Sequence, residues 1–316
     1  MGVPHNSLSA RCLAEGVGTF MLVFLGCGVV HVAVLTEAHS GLWQVAIVWG
    51  IAVTLAVFVV GGISGAHINP AITVSLAACR RFGWGQVVPY VLAQVAGAFV
   101  AAAALFAIFY PFLADKETQK QLTRGQPGSE ITAMCYGEYF PNPGGLAAKA
   151  SPHHGRELVA RLEEQNERFP AAAAMAAEVL GTLLLALVVF AVTDPRNGAA
   201  PGAGLAPAFI GLTVAVLIAV IAPLTQACFN PARDFGPRLF ACLAGWGAIA
   251  LPGPRGHGFF TVYILSPVVG AVAGGALYTL VLSRLLPSEQ PPPGRVLRIE
   301  DRESKTEERE ALSSEG

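Results

Sequence analysis

The sequence predicts an all-α membrane protein: six transmembrane helices and two re-entrant half-helices, related by an inverted internal repeat. Three observations carry this. Six apolar segments are long enough to cross a bilayer, which takes about 20 apolar residues. Asn-Pro-Ala occurs at 69–71 and again at 230–232, each time near the head of an apolar stretch too short to span. The pattern Ala14-Glu15-x-x-Gly18-Thr19 recurs as Ala177-Glu178-x-x-Gly181-Thr182, at a similar distance before each Asn-Pro-Ala, which is the signature of a duplicated unit.

Composition agrees. Hydrophobic residues make up 53% of the 316-residue chain and charged residues only 13%, against about 25% charged in a soluble domain. The charges crowd into 114–168 and into the tail after Arg284. A net charge of −1 gives no footprint for nucleic acid. The six cysteines show neither paired nor zinc-ligand spacing; Cys12, Cys27, Cys79, Cys228 and Cys242 sit in or beside apolar runs as packing residues, and Cys135 alone falls in a polar loop. No metal site is expected. The first apolar run, Gly16 to Leu35, has no small-residue cleavage site and reads as a retained span.

In chain order the spans are expected at 12–35, 42–62, 86–113, 170–193, 204–222 and 259–283. The first repeat occupies 1–113, with a half-helix at 69–79, and the second occupies 169–285, with a half-helix at 230–242. Between them lies a long, charged connecting loop, 114–168, and a Pro-rich then charged tail, 286–316, reads as disordered. Three spans per repeat is an odd number, so the second repeat enters from the opposite face. Arg11, Arg80, Arg81, Arg196 and Arg284 then share one side, expected to be cytoplasmic. The connecting loop is expected outside.

Asn69 and Asn230 are helix N-caps followed by Pro70 and Pro231 at the first helical position, then Ala71 and Ala232. One such triplet is an ordinary cap. Two at equivalent places in a duplicated membrane unit read as two half-helices meeting head to head, preceded by non-helical backbone at 63–68 and 223–229. Such backbone survives at membrane depth only against protein or water. Each N-terminus carries about half a positive charge, so the meeting point repels cations and protons and leaves neutral solutes alone.

Arg233 lies in a helix first turn, where the dipole disfavours a cation, and at membrane depth, where a charge is costly. It is expected to present donors to a passing solute; the bland alternative is a buried pair with Asp234. Glu15 and Glu178 sit early in long spans. They are expected to brace the re-entrant loops, with loop amides and His67 as donors; the alternative is a proton relay.

Ser64 to Ala71 and Asn230 to Arg238 resemble the two signature loops of the major intrinsic protein (aquaporin) family, over roughly residues 8–285 and with Gln94-Val95-Ala96-Gly97 in order. Asp234 after Asn-Pro-Ala-Arg resembles the mark of the aquaglyceroporin, or glycerol facilitator, branch; Phe109, Arg238, Pro267 and Tyr139 to Pro143 match further branch positions. The resemblance implies a homotetramer with one pore per subunit, energy-independent conduction, no cofactor, a plasma-membrane location and cytoplasmic termini. It places Trp49, Ile218, Ala227 and Arg233 at the narrowest point. Glycerol facilitators have Gly and Phe at the second and third of these, so the set is closer to that of plant nodulin-26-like channels.

The function expected is passive passage of small uncharged solutes: glycerol and related polyols, with some water. An ion-coupled secondary transporter is the alternative from another class, and water, ammonia, lactic acid or metalloid hydroxides are alternative cargoes. No nucleophile–base set is visible in the spans, so an enzyme is not expected.

Overall fold

The computed structural model describes residues 6–36, 38, 41–148, 151–202 and 204–287. Helix α1 is Leu8–Leu35, α2 Leu42–Ser64, α3 Pro70–Ala78 and α4 Val87–Gln119. Helix α5 is Gly155–Arg168, α6 Ala171–Val192, α7 Ala206–Thr225 and α8 Pro231–Ala241. The last span, α9, is Gly258–Arg284 and carries a π turn at Thr261–Leu265. Six helices are long and apolar enough to cross a membrane, and the described residues contain no strand. The protein is an integral, multi-pass membrane protein.

The element ends differ from the sequence expectation in ways the caps explain. Helix α1 begins at Leu8 because the Ser7 hydroxyl accepts from the Ala10 amide. Helix α2 runs to Ser64 and α7 to Thr225, the latter through Pro223. Each then ends on a left-handed residue, Gly65 or Gln226. The non-helical backbone is therefore 65–69 and 226–230, shorter than the expected 63–68 and 223–229 at its leading edge. The half-helices are likewise Pro70–Ala78 and Pro231–Ala241, with the asparagines outside as caps.

The segment 114–168 is not a polar loop throughout. Helix α4 continues to Gln119, two single-turn helices follow at Glu130–Ala133 and Gly144–Ala147, and Glu130 to Phe140 are buried. Ile131, Met134, Cys135, Tyr136 and Tyr139 belong to the main apolar core. Those apolar side chains outweigh the flanking charges and draw the segment inward. Cys135, expected in a polar environment, is fully buried. The tail from residue 288 lies outside the described residues.

Packing follows the repeat. Helix α1 lies against α2 and α4; in the second repeat α6 lies against α7 and α9. Helices α2 and α7 join the repeats, and each half-helix packs on the last span of the other repeat, α8 on α4 and α3 on α9. At the α2–α7 crossing a methyl group added at Gly211 would collide with the Gly50 carbonyl. Glycine is required there because the two backbones touch.

Candidate functional site

The two re-entrant loops are built alike. In the first, the Glu15 carboxylate accepts from the amides of His67 (2.9 Å) and Ile68 (2.7 Å), the Ser64 hydroxyl (2.7 Å) and Gln94 Nε2 (2.7 Å). In the second, Glu178 accepts from the amides of Cys228 (3.0 Å) and Phe229 (2.9 Å) and the Thr225 hydroxyl (2.6 Å). Both glutamates are fully buried. The donors satisfied would otherwise be orphaned at roughly 1–3 kcal/mol each. Tyr90 and Tyr263 hold the Ser64 and Thr225 carbonyls in the same equivalent places. Pro267 stands where Gln94 would recur, four residues after the tyrosine, so Glu178 has one donor fewer.

The recurring Glu-x-x-Gly-Thr has a physical reading. The glutamate binds the loop, and the glycine one turn on makes room for a loop side chain. A methyl at Gly18 would strike Ile68, and one at Gly181 would strike Phe229. The threonine hydroxyl donates back to the glutamate carbonyl, at 2.8 Å in one repeat and 2.7 Å in the other. The braces hold non-glycine residues at positive φ: Ala66 and Ile68 in one loop, Gln226, Ala227 and Phe229 in the other. Each costs about 1–3 kcal/mol and persists only when over-determined by its surroundings.

His67 binds Glu15 through its backbone amide. Its ring packs on Phe82 and Tyr90, and Nδ1 lies 3.2 Å from the Thr73 hydroxyl.

Asn69 and Asn230 cap their half-helices. Asn69 Oδ1 accepts from the Ala71 amide, and Asn230 Oδ1 from the amides of Ala232 and Arg233. Pro70 and Pro231 occupy the first helical position, where no amide is needed. The two N-termini meet across these caps. A cavity of about 540 Å³ runs past both asparagines, with Trp49, Ile218, Ala227 and Arg233 in its lining. Its walls are mostly aliphatic, among them Val53, Ile72, Leu185 and Val214. Residues 65–69 and 227–230 of the two loops also line it. Arg81 and Thr193 also line it, and Arg81 lies 3.8 Å from Asp194.

Arg233 is 3% exposed and its guanidinium sits over the Trp49 ring at 4.6 Å. It does not pair with Asp234. Both Asp234 oxygens bind Arg238, at 2.8 and 2.9 Å, one turn along α8. Arg233 instead pairs with Glu138 at 2.6 Å and donates to the Tyr136 carbonyl at 2.9 Å. Asp234 also accepts from the Glu138 amide at 2.7 Å. Gln226 reaches the same segment, accepting from the Tyr139 amide and donating to the Met134 carbonyl. The sequence reading missed Glu138, Tyr136 and Gln226. The nearest signal was Tyr139 to Pro143, which begins one residue beyond Glu138.

Residues 3–278 match the family described as Major intrinsic protein. The chain belongs to this family. Among curated relatives, it is 36% identical to the glycerol uptake facilitator protein of Shigella flexneri, covering 95% of this chain and 96% of that one. It is 38% identical to the propanediol uptake facilitator of Citrobacter freundii, over 90% of this chain and 96% of the relative. Among solved structures, the aquaglyceroporin from Plasmodium falciparum shares the fold. It has a TM-score of 0.71 at 22% identity, and the match covers 88% of this chain and 98% of that one. The all-helical aquaporin-like fold of this major intrinsic protein is thereby shown.

Proposed function

We propose that this major intrinsic protein is a passive channel for glycerol and related polyols, with water as a secondary cargo. The observation that carries the reading is the cavity. Its lining includes Trp49, Ile218, Ala227 and Arg233 together with both capping asparagines, Asn69 and Asn230. An aliphatic wall suits the carbon backbone of a polyol, and Arg233 offers donors to its hydroxyls. The paired N-termini oppose cations. The glycerol and propanediol uptake facilitators among its relatives support the same cargo.

In this reading Trp49, Ile218, Ala227 and Arg233 form the selectivity filter. Asn69 and Asn230 present amides at the midplane, while Glu15, Glu178 and His67 fix the loops. Asp234 acts through Arg238. The channel is a homotetramer of the plasma membrane with cytoplasmic termini. No carboxylate side chain lines the cavity among the described residues, which favours a passive pore over ion coupling. Light-scattering measurements on proteoliposomes test the proposal. Rapid glycerol entry that does not saturate and ignores ion gradients is expected. Flux that follows a proton or sodium gradient would establish the coupled transporter instead.

A further inference from the structure

Glu138 belongs to neither repeat, yet its carboxylate is the one paired with Arg233 among the described residues. Oε1 lies 2.6 Å from the guanidinium, while Oε2 is buried with no hydrogen-bond partner. The backbone around it is fixed: its amide donates to Asp234 and its carbonyl accepts from Arg238. Beside it lies a cavity of about 10 Å³, lined by Glu138, Tyr139, Arg238, Pro252, Tyr263 and the charged Arg255, whose guanidinium is held by the Asn166 and Phe169 carbonyls, close to the space of one water.

Titratable and charged groups face Glu138 from every side. Asp234, Arg233 and Arg238 come from α8, Glu178 from α6, Tyr263 from α9, Cys27 from α1 and Cys228 from the second loop; Tyr136 and Tyr139 share its segment. Asp234 is committed to Arg238, and both Glu178 oxygens hold the loop. Glu138 alone of these carboxylates keeps a free oxygen.

We propose that Glu138, behind the cavity wall, is a titratable positioning residue that acts through Arg233 and sets how tightly Arg233 holds a solute hydroxyl. This rests on the channel reading above. Ionised, Glu138 makes a neutral pair with Arg233 and occupies one guanidinium nitrogen. Protonated, it keeps only a weaker bond from that nitrogen to a neutral carbonyl oxygen and leaves the positive charge of Arg233 unbalanced, to add to the N-terminal dipole of α8. Hydroxyl oxygens are then held more tightly. A polyol, with several hydroxyls, is slowed more than water. The glycerol-to-water permeability ratio therefore rises with pH. Burial, reinforced by Glu178 and Asp234 and opposed by Arg233 and Arg238, pushes the Glu138 carboxyl up to about 8, within reach of a liposome assay.

The test is stopped-flow swelling and shrinking of proteoliposomes from about pH 6 to about pH 10, corrected for protein-free vesicles. The wild-type ratio should rise about threefold or more. Glu138→Gln should hold the ratio flat at its low-pH value, and Glu138→Asp should retain a pH dependence. A flat wild-type ratio, which needs no variant to fold, overturns the inference. So does a Glu138→Gln protein with the wild-type profile. Absence of glycerol flux at every pH overturns the polyol channel reading as well, whereas glycerol flux with a flat ratio overturns only the role of Glu138.

Discussion

Asn69 and Asn230 hold each other's loops. Nδ2 of Asn69 donates to the Phe229 carbonyl and Nδ2 of Asn230 to the Ile68 carbonyl, both at 2.8 Å. Each side chain therefore caps its own helix through oxygen and ties the opposite repeat through nitrogen. Asn230→Asp keeps the cap but sets a carboxylate oxygen against the Ile68 carbonyl. Two facing acceptors cost about 1–3 kcal/mol, and the new negative charge weakens the cation barrier. Lower thermal stability together with a proton or sodium leak in liposomes is expected. A variant as cation-tight as the parent would overturn the barrier role of these caps.

Removing a loop brace should damage folding more than chemistry. Glu15→Ala leaves the amides of His67 and Ile68 without their acceptor, at roughly 1–3 kcal/mol each. Glu15→Gln retains one acceptor oxygen and should fold better. The loss from Glu178→Ala should be smaller than from Glu15→Ala, because no Gln94 counterpart is stranded. Detergent-solubilised yield and melting temperature rank the variants. Gln variants with normal yield but abolished, pH-dependent flux would point to a proton relay.

Close backbone contact makes a sharper stability prediction. Gly211→Ala gains roughly 1 kcal/mol of helix propensity but collides with the Gly50 carbonyl, an overpacking cost of about 1–3 kcal/mol or more. A methyl at Gly62 on the same α2 helix meets nothing. Gly211→Ala should lower the melting temperature, and Gly62→Ala should not.

The six spans and the fold class were legible because a bilayer imposes a length and an apolar composition that local sequence must satisfy. Helix ends were less so: α7 continues through Pro223 because the break is set by the left-handed Gln226, whose conformation depends on the Glu178 brace. The partner of Arg233 was illegible. Tyr136 and Glu138 lie about a hundred residues away in chain, in a segment whose charges mask its apolar run. Asp234, adjacent in sequence, was the obvious candidate, but the i,i+4 geometry of a helix hands it to Arg238.

The Glu138 pair changes what an Arg233 variant measures. Arg233→Val alone strands a buried carboxylate, at about 3–5 kcal/mol, so poor yield would say little about permeation. Arg233→Val with Glu138→Gln removes both charges and should recover folded protein. Current or pH-dye measurements on the double variant should show a proton or cation leak absent from the parent. An equally tight double variant would remove Arg233 from the barrier.

Filter shape gives the last prediction. The Trp49 ring is pinned between the Arg233 guanidinium and Gly26, where any added methyl would collide with it. That wall is fixed, so selectivity should turn on two other lining positions, Ile218 and Ala227. Ala227→Phe alone adds a ring beside a branched side chain and should narrow the constriction, slowing glycerol. Ile218→Gly alone removes a side chain from α7 and should admit bulkier neutral solutes, at about 1 kcal/mol of helix propensity plus lost packing. Together the changes roughly conserve volume, and a second aromatic wall faces Trp49. Glycerol flux should recover in the double variant while larger or more branched polyols lose ground relative to the parent. The comparison is made in one set of vesicles with glycerol, a four-carbon polyol and urea. If the parent excludes the larger solutes as strictly as the double variant, Ile218 and Ala227 do not set the aperture.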